Sequence, residues 1–302
     1  MKALVALCLL CSSLSFAQPE NLRIVRANVE ARLQEVVRNA KGALGFVAVD
    51  LVRGERFAAN ENLVFPQASA IKIPILMEVF KQAREGKLKL TDMMWVEKSK
   101  QVGGSGVLFE LGDKTSQLSV RDLCVLMILL SDNTATNMLI DLVGMGNINK
   151  TLVSLGLKQT KVQRRMLDQA ASVRGDENLS SPAEAARIME LLHKGEFVSR
   201  AVSDEIISIL KKPKGGAGAI QSGVPNDVAV AFKPGGIAGV HSEWAIVYSP
   251  NLPYVVVVME NYGVGNEASM AMTAISEILF EYYSRIANAT QHGTYVAPAS
   301  GK

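Results

Sequence analysis

The chain has 302 residues, of which 48% are hydrophobic and 20% are charged, and its formal net charge at pH 7 is +3. That length suffices for one large domain or two closely packed ones, and the near balance of charge gives no indication of a nucleic-acid partner. The three histidines and the cysteines at positions 8, 11 and 124 form no cluster of metal ligands. We therefore expect no metal site and no cofactor.

Residues 1–17 have the features of a secretory signal peptide. A charged residue, Lys2, precedes a short apolar stretch and a small-residue cleavage site that ends at Ala17. The apolar stretch is too short to span a membrane, so we expect a secreted or periplasmic protein without stable membrane insertion. Attachment as a lipoprotein through Cys11 is an alternative, although the residue before it is bulky where a small one is usual. Once the signal is removed only Cys124 remains, so no intrachain disulfide can form.

The first elements after the signal are a predicted helix and a predicted β-hairpin. Residues 20–40 carry apolar side chains at helical spacing. Residues 43–51 are typical of a strand, which turns at Arg53-Gly54 into a second strand over residues 55–59. We interpret this segment as scaffold.

Ser69 and Lys72 open the next predicted helix, which should end near Gly86. Pro74 fits only the first turn of a helix, where its missing N–H costs little. Lys72 lies three residues after Ser69 on the same helical face, where a lysine amine of lowered pKa can accept a serine proton. The N–H of the serine can help to hold an oxyanion. An N-capping serine beside a solvated lysine is the alternative that this pattern leaves open.

A predicted buried helix follows the glycine-rich loop at residues 103–108, in which Ser105 is expected to be a turn residue. Residues 119–130 are apolar nearly all round, which predicts the central helix of the core. Ser119 and Asp122 form a capping box at its start.

A polar Ser-Asp-Asn stretch at residues 131–133 interrupts this apolar run before a further helix over residues 135–143. Polar residues at the end of a buried helix need partners or a function. A simple helix–helix turn and a functional motif are both compatible with the stretch by itself.

The rest of the chain returns from helices to strands. Residues 161–182 are predicted to be a loop, and the glycine-rich residues 214–218 lack the flanking elements of a phosphate-binding loop. The predicted elements beyond residue 181 are a helix over 182–193, strands over 228–233, 244–249 and 254–259, and a closing helix over 267–286.

Three short motifs occur in a fixed order: Ser69-Ala70-Ile71-Lys72, Ser131-Asp132-Asn133 and Lys233-Pro234-Gly235. The order S-x-x-K, S-D-N, K-[TS]-G is the signature set of penicillin-recognising serine enzymes. Over roughly residues 22–286 the chain resembles the class A β-lactamases. The third motif departs from theirs, because Pro234 stands where the family has threonine or serine.

The resemblance implies a role for each matched residue. Ser69 would be the nucleophile and Lys72 its base, although in the family the acylation base is disputed. Ser131 would pass a proton to the leaving nitrogen, and Asn137 matches the asparagine that braces a neighbouring loop. Four residues are expected to bind substrate: Asn133 through its amide, Lys233 by attracting a carboxylate, Gly236 as the second oxyanion donor, and Gly235 beside it.

The largest departure from the family lies in residues 161–182, which match its omega loop in position. Class A β-lactamases carry a glutamate there that activates the water for deacylation. Residues 161–176 of this chain contain no glutamate. Asp168 is the nearest acid. Two roles are open for it: a substitute base, or an ion-pair partner of Arg164 or Arg165.

The order of elements predicts an α+β fold of the β-lactamase and penicillin-binding-protein type, a three-layer sandwich. An antiparallel sheet built from both ends of the chain is flanked by helices and carries an all-helical subdomain. We expect one domain over residues 18–290, with the sheet in 18–61 and 213–290 and the helical subdomain in 62–212. The site should lie in the cleft between them, residues 291–302 should be a flexible tail, and the protein should be a monomer.

Three functions are compatible with these features. The first is a β-lactam hydrolase that acts through a serine acyl-enzyme on small-molecule substrates. The second is a penicillin-binding peptidase of D-Ala-D-Ala cell-wall peptides, and the third is a non-catalytic sensor of β-lactams or muropeptides. A stable adduct with a labelled penicillin would favour the second or third, and a transient one the first.

Overall fold

The computed structural model describes residues 20–212, 214, 218–264, 266–290 and 292–295. The predicted signal peptide lies outside these residues, as does most of the predicted tail. Residues 292–295 of that tail form a turn behind the last helix, where Ala289 pairs with Tyr295 in an isolated bridge. In the described part of the chain, no helix has the length and apolar character needed to cross a membrane.

The helices occupy the middle of the chain and both of its ends. They are α1 (Glu20–Asn39), α2 (Lys72–Arg84), α3 (Val120–Leu129), α4 (Asn133–Val143), α5 (Met145–Ser154), α6 (Gln169–Val173), α7 (Pro182–Lys194), α8 (Arg200–Leu210), α9 (Ala219–Ser222) and α10 (Glu267–Ala287). The strands are β1 (Ala43–Asp50), β2 (Arg56–Ala59), β3 (Phe65–Pro66), β4 (Met93–Trp95), β5 (Gln117–Ser119), β6 (Leu179–Ser180), β7 (Val230–Ile237), β8 (Val240–Val247) and β9 (Tyr254–Asn261).

The main sheet joins the two ends of the chain. Within the described ranges it has five strands in the order β2-β1-β9-β8-β7, and every neighbouring pair is antiparallel. The predicted α+β fold, with an antiparallel sheet built from both ends and flanked by helices, is confirmed.

Alternate residues of each strand face opposite layers of helices, as the two-residue period of a strand requires. On β8, Ala245 faces the core formed with α1, α9 and α10, whereas Trp244 faces the core formed with α2 to α5, α7 and α8. Because both faces are covered, the central strands are almost wholly buried.

Two details of the predicted sheet are wrong. The strand predicted to end at Lys233 continues as β7 through Pro234 to Ile237, and β8 begins at Val240 rather than at Trp244. Pro234 is tolerated because β7 is an edge strand. On the side of β7 that faces away from β8 there is no neighbouring strand to which a backbone N–H would donate.

The helix predicted to be central to the core, over residues 119–130, is less buried than α2. Every residue of α2 from Lys72 to Phe80 is buried, whereas α3 exposes Arg121 and Asp122 to solvent. The inserted subdomain is also not wholly helical, since it contains the short antiparallel pairs β3–β6 and β4–β5. The predicted cap of α3 is confirmed, because the Ser119 hydroxyl accepts a hydrogen bond from the N–H of Asp122 at 3.0 Å.

Candidate active site

Ser69 lies in a tight 3-10 turn, Ala68–Ile71, that leads directly into α2. The regular helix therefore begins at Lys72, three residues later than the sequence suggested. Ala68, the residue before Ser69, has a φ of +44°, which is uncommon for a residue with a Cβ and concentrates at functional sites. The turn presents Ser69 to a cleft of about 190 Å³ between the sheet and the helical subdomain.

Gln67 fixes this turn to the sheet. It is fully buried, its side-chain Oε1 accepts a hydrogen bond from Trp244 Nε1 at 2.9 Å, and its backbone oxygen accepts one from Ser242 Oγ at 2.8 Å. Its Nε2 donates to the backbone oxygen of Phe65 at 2.8 Å. Sequence reasoning missed Gln67, because its partners on β8 lie more than a hundred residues away along the chain.

Gly235 is required by the close approach of β7 to the same turn. A Cβ at this position would lie 2.7 Å from the backbone nitrogen of Ser69 and 2.6 Å from that of Ala70, which is closer than real Cβ atoms approach. Gly235 therefore lies beneath the turn, whereas Gly236 lines the cleft together with Ser69. Ser69 and Gly236 thus both border the cleft, and the role of their backbone N–H groups as a pair of oxyanion donors stays a prediction.

Lys72 is buried and surrounded by oxygen atoms of the Ser-Asp-Asn motif. Its Nζ donates to the backbone oxygen of Ser131 at 2.7 Å, to Ser131 Oγ at 3.0 Å and to Asn133 Oδ1 at 3.0 Å. Burial, and then the positive charge of Lys233, hold the pKa of Lys72 well below its usual range, while the carboxylate of Asp132 opposes them. Because a hydroxyl can also donate, Ser131 can reverse its hydrogen bond when Lys72 is neutral, so the two groups can exchange a proton.

The Ser-Asp-Asn motif joins α3 to α4 and braces the loop on the opposite rim. Asp132 caps α4 by accepting from the N–H of Ala135 at 2.8 Å, and its other oxygen accepts from the N–H groups of Val107 at 2.7 Å and Leu108 at 2.9 Å. Asp132 therefore holds the glycine-rich loop over residues 103–108 against the start of α4. Ser131, which accepts hydrogen bonds from Lys72, has a φ of +52° and is a second strained residue.

The loop over residues 161–182 forms another wall of the cleft, and Asn137 on α4 fixes it. Asn137 Oδ1 accepts from the N–H of Met166 at 2.8 Å, and its Nδ2 donates to the backbone oxygen of Met166 at 3.2 Å. Met166 and Leu167 both line the cleft with Ser69. The side chain that Asn137 holds at this wall of the cleft is therefore a thioether, that of Met166.

Asp168 lies at the start of α6 and serves as its N-cap. Its carboxylate accepts from the N–H of Ala171 at 2.9 Å, and its side chain is solvent-exposed. The predicted ion pair with Arg164 or Arg165 is wrong, because Arg164 pairs with Glu177 at 2.9 Å and Arg165 pairs with a different aspartate, that of α4.

No carboxylate is present among the described residues that line the cleft. Those residues are Ala68, Ser69, Gly104, Ser105, Asn133, Arg164, Met166, Leu167, Asn178, Gly236 and Ile237. Asp168, the predicted substitute base, is not one of them. Its role as a base stays a prediction, and its position favours a structural role.

Lys233 lies on β7 next to the cleft and is almost completely buried. Its Nζ donates to the backbone oxygen of Pro234 at 2.7 Å. Burial, and then the nearby charge of Lys214, lower the pKa of Lys233 to about 7, and the carboxyl of Glu243 acts in the opposite direction. Near neutral pH this lysine is thus poised between its charged and neutral forms.

Two apolar side chains stand at the mouth of the cleft. Leu167 is 51% exposed and Ile237 is 47% exposed, although both line the cleft. Leu167 also has a φ of +60° and is a further strained residue in the lining of the cleft. Such a mouth suits the apolar part of a small substrate.

A serine whose neighbours can accept its proton and hold an oxyanion is the arrangement of a hydrolase that acylates itself. Residues 28–283 match the Beta-lactamase enzyme family, and the chain belongs to that family. It is a β-lactamase-like serine hydrolase, as the sequence predicted.

Known relatives and solved structures share most of the chain at modest identity. An imipenem-hydrolyzing β-lactamase from Enterobacter cloacae is 27% identical over 215 residues, which are 70% of this chain and 73% of that protein. The crystal structure of a β-lactamase from Sphaerobacter thermophilus has a TM-score of 0.77 at 28% identity and covers 84% of this chain and 96% of its own. The structure of PBP-A has a TM-score of 0.78 at 26% identity, with 84% and 95% of the two chains covered.

Proposed function

We propose that this protein opens β-lactam rings by forming an acyl-enzyme on Ser69. The observation that carries the proposal is the buried Lys72, whose Nζ lies 3.0 Å from Ser131 Oγ and whose pKa is held well below the usual range. A buried amine of lowered pKa, three residues after a serine in the turn that leads into α2, is the candidate base for that serine.

Acylation uses the residues around the turn in sequence. Lys72 accepts the proton of Ser69 as Oγ attacks the lactam carbonyl carbon, and the N–H groups of Ser69 and Gly236 hold the oxyanion. The proton then moves from Lys72 through the Ser131 hydroxyl to the ring nitrogen, and the C–N bond breaks. The acyl group remains on Ser69, and the leaving amine stays tethered to it as part of the opened ring.

Substrate recognition involves the side-chain amide of Asn133 and the positive charge of Lys233. The Asn133 side chain already donates to the backbone oxygen of Gly103 at 2.9 Å, which orients its amide at the cleft for a substrate amide. Lys233, in its ammonium form, attracts the carboxylate that β-lactams carry on the fused ring. Ligand specificity then depends on the apolar mouth formed by Leu167 and Ile237.

Deacylation is the slow step of this reaction. General-base activation of water contributes about 10²- to 10⁴-fold, and the loop residue held against the nucleophile, Met166, has no group that accepts a proton. Lys72 acting a second time is the base that the geometry favours, with Asp168 as the alternative.

The test is the turnover of a chromogenic cephalosporin followed from its first milliseconds. We expect a burst of one product per enzyme and then a slow steady phase that is limited by deacylation. Fast turnover without a burst would contradict slow deacylation, and the absence of both burst and turnover would contradict the activity.

A peptidase that acts on D-Ala-D-Ala cell-wall peptides is the second candidate. The observation that favours it is the lack of a carboxylate in the described lining of the cleft, since a long-lived penicillin adduct is the behaviour expected of a penicillin-binding protein. Similarity to PBP-A is compatible with it. Release of D-alanine from a D-Ala-D-Ala peptide at a rate above that of β-lactam turnover would establish this function instead.

We also propose that the protein is exported from the cytoplasm before it acts on its substrates. A signal peptide cleaved after Ala17 would deliver the enzyme to the compartment in which β-lactams and cell-wall peptides occur. The N-terminal sequence of protein recovered from a periplasmic or culture fraction should begin at Gln18, and an intact Met1 there would contradict it.

A further inference from the structure

A buried carboxyl group lies behind the sheet at the level of Lys233. Glu243 on β8 is 1% exposed and pairs in the ladder with Pro234, the residue after Lys233. Its Oε2 accepts from the N–H of Ile220 at 3.3 Å, and its Oε1 has no hydrogen-bond partner among the described residues. A buried acid that is only half satisfied is costly, so the fold retains it against a stability disadvantage.

The segment before α9 is shaped around this carboxyl. A Cβ at Gly218 would lie 2.1 Å from Glu243 Oε1 and 2.6 Å from its carboxyl carbon. Any side chain at this position would displace the acid. The backbone therefore approaches Glu243 as closely as glycine allows.

Two lysines flank the carboxyl, one on each side of the edge strand. Lys233 points to the cleft side of β7, whereas Phe232 and Glu243 belong to the opposite face. Lys214 Nζ lies 3.9 Å from the centroid of the Phe232 ring and donates to the backbone oxygen of Leu210 at 2.7 Å. Charges in such a buried setting interact over longer distances than exposed ones, because water and salt do not screen them.

We propose that Glu243 is a positioning residue that keeps Lys233 in its charged form from behind the sheet, and that recognition of carboxylate-bearing substrates depends on it. Lys214 acts in the opposite direction as a like charge. The inference rests on the proposed carboxylate-binding role of Lys233 and extends it to residues that never touch substrate.

The signs of the interactions agree with this role. Glu243 favours the ammonium form of Lys233, whereas burial and Lys214 disfavour it, with a net pKa of about 7 for Lys233. Burial also raises the pKa of Glu243 to about 7. Glu243 therefore supplies its charge only above neutral pH, where Lys233 would otherwise lose its proton.

The other ionisable groups near this cluster are the same in the unaltered protein and in the Glu243 and Lys214 variants. Lys72 faces Lys233 from α2 and Asp132 acts on Lys72, while α9 contributes no ionisable side chain. Further ionisable groups on the same face of the sheet are His241 on β8 with its ladder partner Glu260 on β9, and Asp50 on β1 with its ladder partner Tyr254 on β9.

The experiment compares acylation by a carboxylate-bearing β-lactam with acylation by the methyl ester of the same lactam, across pH 5 to 9. The second-order rate constant for the acid divided by that for the ester reports the charge of Lys233, because the titration of Lys72 affects both substrates alike. In the unaltered protein the ratio should fall as pH rises through about 7. Glu243→Gln should move this midpoint to lower pH by about half a unit or more, and Lys214→Met should move it to higher pH.

Midpoint shifts in opposite directions in these two variants support the proposal. A loss of packing alone would not move the midpoint down in one variant and up in the other. At pH 8 the ratio for Glu243→Gln should be about threefold or more below the unaltered protein, and at pH 5 the two should agree. Unchanged midpoints, or shifts in the same direction, would overturn the role of Glu243.

Two further variants distinguish an error in the proposed role of Lys233 from an error in the proposed role of Glu243. Lys233→Ala should abolish the preference for the acid; if it slows acid and ester equally, the proposed role of Lys233 is wrong whatever Glu243 does. If Glu243→Gln does not give a folded protein by thermal unfolding, Glu243→Asp withdraws the carboxylate by one methylene and should shift the midpoint in the same direction by less. An unshifted midpoint in a folded Glu243→Asp protein would also overturn the proposal.

Discussion

Asn137 holds both backbone polar groups of Met166, accepting from its N–H at 2.8 Å and donating to its oxygen at 3.2 Å. This pair of hydrogen bonds places a thioether, and no carboxylate, on the wall that faces Ser69. From the proposed function we therefore expect an acyl-enzyme that forms readily and is hydrolysed slowly.

Met166→Glu should accelerate deacylation by about 10- to 10³-fold, because it places a general base on a backbone that is already fixed. The slow phase after the burst measures this rate directly. Met166→Gln is the matched control, since it has the same length and polarity without a basic group, and it should leave the slow phase within about twofold. Equal acceleration by both variants would show that polarity or loop mobility, rather than a base, limits the reaction.

Asp168→Asn should leave the slow phase nearly unchanged, because asparagine caps a helix as well as aspartate does. Asp168→Ala should lower the free energy of unfolding by about 1 kcal/mol through loss of the cap on the N–H of Ala171. Chemical denaturation and pre-steady-state turnover measure the two effects separately. A slow phase reduced tenfold or more by Asp168→Asn, with the burst retained, would identify Asp168 as the deacylation base.

Gln67→Leu should destabilise the turn that carries Ser69. The substitution keeps the side-chain volume but leaves the buried Nε1 of Trp244 without its acceptor, which costs about 1–3 kcal/mol. We expect a lower midpoint of thermal unfolding and slower acylation in the folded protein. Full acylation rates in Gln67→Leu would mean that Gly235 and the sheet position Ser69 without it.

Local relationships in this protein were readable from the sequence, and distant ones were not. The spacing of Ser69 and Lys72 within one helical turn, the capping of α3 by Ser119, and the return of strands at both ends of the chain follow from periodicity and from single-residue preferences. The burial of Lys72 and the hydrogen bond from Trp244 to the side chain of Gln67 depend on packing between segments far apart in the chain.

Asp168 illustrates why proximity in sequence misled the prediction. An aspartate followed by Gln169 and two alanines is itself an N-cap signal, and the same carboxylate is also a candidate base, so the sequence alone does not separate the two roles. The register of the loop is set by Asn137, thirty-one positions earlier in the chain than Asp168, and no local pattern shows which loop residue that asparagine holds.

Lys233→Ala should slow acylation by carboxylate-bearing β-lactams by the equivalent of about 1–3 kcal/mol, the scale of a lost charge-assisted hydrogen bond. Its effect should be largest at acidic pH and vanish as pH rises through about 7, since the lowered pKa of Lys233 leaves it uncharged above that value. Rate constants for an acid and its ester, measured at pH 6 and pH 8, check both statements. An undiminished effect at pH 8 would show that the lysine stays charged there.

The most direct test of the account is the mass of the intact protein during turnover of a penicillin, followed by peptide mapping. The unaltered protein should gain the mass of one penicillin within the burst, located on the peptide that contains Ser69, and should lose it over the slow phase. Ser69→Ala should remain folded and gain no mass. An adduct on any other residue, or an adduct that persists in Ser69→Ala, would contradict the account.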